Sequence, residues 1–186
     1  GGSALVAKTL GEQDTDRANR YFSMIIWVTV IVGAVLSVIG IAVIRPVSIL
    51  LGADEGMLPD CVLYGSIMMG FTITFMFQNA FQAFLITAER PNLGLAATIA
   101  AGISNMVLDA LFFAVFDWGV AGAAVATGLS QCVGGVIPLI YFLRPNTSLL
   151  RLKRTKLEIR PIINACANGA SEMVSSVTSS VVGILY

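Results

Sequence analysis

The spacing of charge constrains this chain more than any motif in it. No Asp, Glu, Lys or Arg lies between Arg20 and Arg45, between Asp60 and Glu89, or between Asp117 and Arg144. Those gaps hold 24, 28 and 26 residues. A helix rises about 1.5 Å per residue, so each gap exceeds the roughly 20 residues needed to cross a bilayer's hydrocarbon core. Two further stretches, Pro91–Phe116 and Pro161–Tyr186, carry one acid each, Asp109 and Glu172. Buried strands of a large α/β protein are also apolar, but they run to only about ten residues. The expected fold class is therefore all-α, a polytopic transmembrane helix bundle in the cell membrane.

Composition excludes several function classes. Only 12% of residues are charged, against about a quarter in soluble domains. The net charge is zero, so there is no basic footprint for nucleic acid. There is no histidine, which removes Ser-His-Asp triads and the usual zinc sites. Cys61, Cys132 and Cys166 fall in or beside separate apolar runs without metal spacing and read as free thiols. No enzyme, cofactor or structural metal is expected. The partner of most of the surface is the lipid bilayer.

Turn chemistry divides the chain into a helix end at 1–10 and spans near 21–44, 61–87, 92–116, 119–143 and 161–186. Arg45-Pro46 is expected to close the first span. Asp54, Glu55 and Pro59 mark an acidic loop, and Glu89-Arg90-Pro91-Asn92 a tight turn. Trp118, between Asp117 and Gly119, stands at the depth where aromatic rings favour the membrane interface. Pro138 predicts a kink in the 119–143 span. Both ends of the chain fall in helical, apolar sequence, so it reads as a piece of a longer protein.

The connections alternate in charge. The 8–20, 89–92 and 144–160 segments hold ten of the eleven basic residues. The segments at 45–60 and 117–119 hold only Arg45 beside four acids. The positive-inside rule places the basic set in the cytoplasm. The 144–160 connection intersperses Leu149, Leu150, Leu152, Leu157 and Ile159 among its basic residues. It reads either as an amphipathic segment on the inner leaflet or as an ordinary basic loop.

An ionisable group inside the bilayer costs roughly 2.5–3.5 kcal/mol on insertion scales, so it faces a cavity or a partner. Asp109 is such a group, and Asn105, four residues earlier, shares its helix face. Trp118 marks a hairpin tip. Thr127 follows it by as many residues as Asp109 precedes it, and Gln131 mirrors Asn105 in the same way. In an antiparallel pair this predicts two depth-matched layers. A carboxylate, amide oxygens and a hydroxyl are hard ligands suited to Na⁺ or a proton. The alternative is a polar contact that joins two helices.

Tyr64, Gln78, Asn79 and Gln82 lie in the 61–87 span among Phe71, Phe75, Phe77, Phe81 and Phe84. Amides beside aromatic and Met side chains suit the wall of an adaptable pocket for bulky organic cations or drugs. Equally, the phenylalanines face lipid and the amides join helices. Glu172, followed by a run of Ser and Thr, is a further cavity candidate in the last span.

The order of short motifs resembles the MATE (multidrug and toxic compound extrusion) exporters. These are Gly2-Ser3-Ala4-Leu5 with Leu10-Gly11-Glu12 and Ala18-Asn19-Arg20, then Leu50-Leu51-Gly52-Ala53, then Ala88-Glu89-Arg90-Pro91. The most specific part is Asn105-x3-Asp109 with Gly119-Val120-Ala121-Gly122-Ala123-Ala124 and Thr127. The resemblance implies a twelve-helix protein of two six-helix lobes. Residues 1–143 would be most of the N-terminal lobe without its first helix, 144–160 the interlobe loop, and 161–186 part of the seventh helix. It implies a monomeric antiporter that exports drugs or other bulky organic cations, coupled to H⁺ or Na⁺. In archaeal and bacterial members the coupling ion is held by an acid on the first helix and by the residues matching Asn105, Asp109 and Thr127. Some members couple instead through an acid on the seventh helix, and Glu172 lies too near the start of its helix to match that residue.

A lipid-linked saccharide flippase of the same superfamily is the alternative. It calls for cationic residues lining the cavity, and the spans hold no mid-span Lys or Arg. An intramembrane hydrolase would need a nucleophile–base pair or metal ligands. A non-transporting scaffold is the remaining class.

Overall fold

The computed structural model describes residues 1–144, 150–152 and 159–185. Those residues form seven helices: α1 (Gly2–Gly11), α2 (Thr15–Leu50), α3 (Leu58–Gly70), α4 (Thr72–Thr87), α5 (Pro91–Ala114), α6 (Gly119–Leu143) and α7 (Ile159–Leu185). Three of them, α2, α5 and α6, are long and apolar enough to cross a membrane, and α3 with α4 together make a fourth, bent span. α7 is as long but less apolar, because Asn164, Asn168, Glu172 and several Ser residues interrupt it.

Two expectations about helix ends are overturned. First, α2 does not stop at Arg45-Pro46 but continues through Pro46 to Leu50. Its 36 residues make a rod of about 54 Å. Proline removes one backbone donor, yet unwinding the chain there would free more groups where hydrocarbon offers no partner. The Ser48 hydroxyl donates to the Ile44 carbonyl, 2.8 Å away, within the same final turns. At its other end α2 starts on Asp14, whose carboxylate accepts the Arg17 N–H at 3.0 Å.

Second, the 61–87 span is not one helix. It breaks at Phe71 with a bend of 48° between α3 and α4. Gly70 is the weak helix former at the break. Two contacts hold the bend. The Ser37 hydroxyl of α2 donates to the Met69 carbonyl. The Phe71 ring lies against Gly128 of α6, where a methyl group would overlap it. α6, by contrast, runs as one helix through the buried Pro138.

The core sits at the basic end. Val6, Phe22, Ile26, Phe81, Phe84, Leu85 and Phe142 are buried together there, with Ala18, Ala88 and Leu150. The start of α2 and the ends of α1, α4 and α6 converge on this cluster, so the basic connections meet at one end. Leu150 is 0% exposed, and the next residue, Arg151, donates its backbone N–H to the Asn19 side-chain oxygen at 2.6 Å. Of the connection read as either a segment on the inner leaflet or an ordinary basic loop, Leu150–Leu152 docks against the bundle. The rest of that connection, including Leu149 and Leu157, lies outside the described residues.

Candidate functional site

The depth-matched polar layer rests on the α5–α6 hairpin, the most extensively packed helix pair in the structure. Small residues let the two helices approach. Ala97 and Ala101 are buried along α5, and Gly122, Ala126 and Gly134 along α6; Gly94 and Gly135 face α4 instead, against Leu85 and against Phe77 and Gln78. Asn105 and Asp109 extend the buried stripe of α5 by successive turns and are half-buried. Thr127 and Gln131 are half-buried on α6.

Two close approaches fix the register. A Cβ on Gly122 would stand 3.0 Å from the Phe112 Cβ, and one on Gly134 would stand 3.2 Å from the Ala101 Cβ. Folding symmetrically about Trp118 would have set Phe112 opposite Ala124 and Ala101 opposite Gly135. The true register is thus displaced by one to two residues, about 1.5–3 Å along the axis. The turn explains it. Asp117 and Gly119 both have left-handed backbone, with φ of 53° and 52°. Between them Trp118 folds back, donating its N–H to the Phe112 carbonyl at 3.0 Å and stacking on the Phe112 ring with centroids 5.1 Å apart. Asp109 and Thr127 remain near neighbours in depth, as do Asn105 and Gln131, with the α6 member slightly deeper in each pair.

Hydrogen bonding within the layer is incomplete. The Thr127 hydroxyl donates to the Ala123 carbonyl of its own helix at 2.9 Å, which leaves its oxygen lone pairs free to accept. The Asn105 Nδ2 and the Gln131 Oε1 are shielded from solvent and have no hydrogen-bond partner among the described residues. A shielded polar atom left unpaired costs about 1–3 kcal/mol. Two of them at matched depth, beside a carboxylate, form a layer that a polar ligand would complete.

The amides of α4 are placed differently from one another. Gln82 donates to the Thr98 hydroxyl of α5, which in turn donates to the Gly94 carbonyl at 2.9 Å. Gln78 lies against Gly134, its amide nitrogen 2.7 Å from where a Cβ would stand. Both therefore point into the α4–α5–α6 interior. Asn79 is exposed and donates to the Phe75 carbonyl at 2.8 Å. Tyr64 on α3 and Glu172 on α7 are exposed, and neither has a described contact with the Asp109 layer. The phenylalanines also divide: Phe81 and Phe84 belong to the buried core, Phe75 is exposed, and Phe71 packs on Gly128. Thr98 went unnoticed in the sequence, although it lies two helical turns before Asn105 on the same face of α5.

Spans that keep an acid and several amides between closely packed helices define a polytopic helical membrane protein with a polar interior layer. The chain belongs to the MATE family: the MatE family model matches residues 1–111, more than half of its length. It is 27% identical over 147 residues to the multidrug export protein MepA of Staphylococcus saprophyticus, covering 77% of this chain and 32% of that protein. Against MepA of Staphylococcus haemolyticus the identity is 23%, over 80% of this chain and 33% of the relative. The chain thus spans about a third of the length of these curated relatives. Among solved structures, a MATE protein in the bent conformation superposes with a TM-score of 0.91 at 19% identity, over 97% of this chain and 41% of that one.

Proposed function

We propose that this chain forms part of a cation-coupled antiporter that exports drugs or other bulky organic cations across the cytoplasmic membrane. The observation that carries the reading is the half-buried layer of Asn105, Asp109, Thr127 and Gln131, in which the shielded Gln131 Oε1 has no hydrogen-bond partner among the described residues. Its donor set is a carboxylate, a hydroxyl and amide groups, which suits H⁺ or Na⁺ and not a soft metal. An ion shifts the balance between access states only if it binds one of them better. A layer incompletely satisfied in one arrangement of α5 and α6 supplies that difference. The export of drugs rests on the family and on the multidrug export proteins that the chain resembles. Residues 1–143 are read as most of the N-terminal lobe of a two-lobe, twelve-helix monomer, and 144–160 as its interlobe loop.

The test is Asp109→Asn in a full-length transporter carrying this segment. Energised vesicles should lose coupled efflux of a cationic dye by at least roughly tenfold, the size expected when one buried charge interaction is removed. Separate imposed H⁺ and Na⁺ gradients identify the ion. Unchanged efflux under both gradients would sink the proposal.

A further inference from the structure

We infer that Phe71, the residue at which the α3–α4 span breaks, is the outer gate of the polar layer. The inference rests on reading that layer as an ion site and adds how the site is closed toward the acidic end, which the positive-inside rule puts outside. Two contacts place the ring. Phe71 lies against Gly128 of α6. One turn nearer the basic end, the Cys132 thiol donates to the Thr74 hydroxyl of α4 at 3.7 Å. α4 and α6 therefore run side by side in the same direction, with Phe71 on the acidic side of the Thr74–Cys132 pair. Thr127 immediately precedes Gly128, and Gln131, with its shielded Oε1, follows it by three residues. Gly128 lies nine residues into α6 from Gly119, about 14 Å along the axis, so the ring stands level with the layer. On the acidic side of it, Ala121-Gly122-Ala123-Ala124 carries nothing larger than a methyl group, and α3 has no buried residue. Phe71 is the bulky group between the layer and that loosely packed outer half.

The ring rides on a joint with two ways to bond. α3 ends at Gly70 and α4 starts at Thr72, so the Met69 carbonyl falls in the gap between them. In an unbroken helix it would accept the Ile73 N–H. In the bent span it accepts the Ser37 hydroxyl of α2. α2 is shaped to receive the bend. Gly33, Ser37 and Gly40 share one of its faces. A methyl group on Gly33 would crowd Ile73, and one on Gly40 would overlap Met69. The two halves are held unequally, because α4 puts Phe81, Phe84 and Leu85 into the buried core and α3 puts in nothing. Straightening would therefore swing α3 about a fixed α4, return the Met69 carbonyl to the Ile73 N–H, and lift Phe71 from Gly128. A carbonyl with a donor in either arrangement is what allows a broken span to move within hydrocarbon.

The experiment uses a full-length transporter carrying this segment, with every cysteine except Cys132 replaced by serine. Right-side-out vesicles are treated with a membrane-impermeant methanethiosulfonate, and mass spectrometry follows the rate of Cys132 modification. Phe71→Ala should raise that rate by roughly tenfold or more, since modification follows the fraction of open molecules. Ser37→Ala, which removes the donor of the bent form, should raise it less, and Ser37→Thr should restore the parent rate. Phe81→Ala, which removes a ring of the same helix from the core, should leave the rate within about twofold of the parent. A Phe71→Ala rate equal to the parent's, or an acceleration that Phe81→Ala matches, would overturn the gate. Should Phe71→Ala fail to fold, the two Ser37 variants decide, and equal rates for them would overturn it. Asp109→Asn should leave the effect of Phe71→Ala intact, so a failure of the gate and a failure of the coupling proposal are told apart.

Discussion

At the basic end, Phe22, Phe81, Phe84 and Phe142 fill the space between α2, α4 and α6. Between α5 and α6, by contrast, the layer of Asn105, Asp109, Thr127 and Gln131 is only half-buried. The rings at the aromatic end pack closely on one another. Phe22 meets Phe84 edge-on with ring centroids 4.7 Å apart, and Phe142 lies 4.9 Å from Phe22 and 5.8 Å from Phe81, all favourable separations. The polar layer is not satisfied, since two shielded amide atoms lack partners. Side chains that close their own contacts identify what holds the bundle together. Under the proposed function, side chains left short of partners mark where the coupling ion would bind.

The contrast predicts opposite responses to mutation. Phe81→Ala should cost the most, about 3–5 kcal/mol, because a large ring leaves a cavity that its neighbours fill only in part. Denaturant unfolding in mild detergent measures it, and a loss below about 1 kcal/mol would show that the aromatic end is not the stabilising region. Gly128→Ala comes next, at about 1–3 kcal/mol, since the added methyl overlaps the Phe71 ring and forces the bent span outward. Gln131→Leu should be the smallest and of the opposite sign. Removing an unpaired shielded acceptor should leave stability unchanged or raise it by up to about 1 kcal/mol, while efflux falls. A clear loss of stability instead would mean that Gln131 is a joint between helices, and the comparison would collapse.

Much of this contrast was legible in the order of residues. Charge-free gaps located the spans, and the alternation of basic and acidic connections located the two ends. The similar depth of Asp109 and Thr127 followed from counting outward from Trp118, and the fold-back of that turn displaced the register by one to two residues. Other features left no readable signal. Pro46 looked like a terminator because its cost is visible in sequence, whereas the lipid environment that outweighs it is not. The break at Phe71 was marked by Gly70 alone, one of many glycines. Phe81 and Phe84 have the same composition as a cavity wall or a lipid-facing surface, and only the convergence of three helix ends makes them core. The Asn105 and Gln131 shortfall is a tertiary fact, set by what does not stand opposite them.

The docking of Leu150 also has a mechanical consequence. Between Leu143, where α6 ends, and Ile159, where α7 begins, the chain has sixteen peptide steps, a leash of at most about 55 Å when fully extended. Fastening Leu150–Leu152 to the bundle leaves seven steps before α7, which can span at most about 25 Å. A single buried leucine and one bond to Asn19 thus set the upper limit that chain length places on the distance from this bundle to the start of α7, which also packs against α1. Releasing that fastening would more than double the radius.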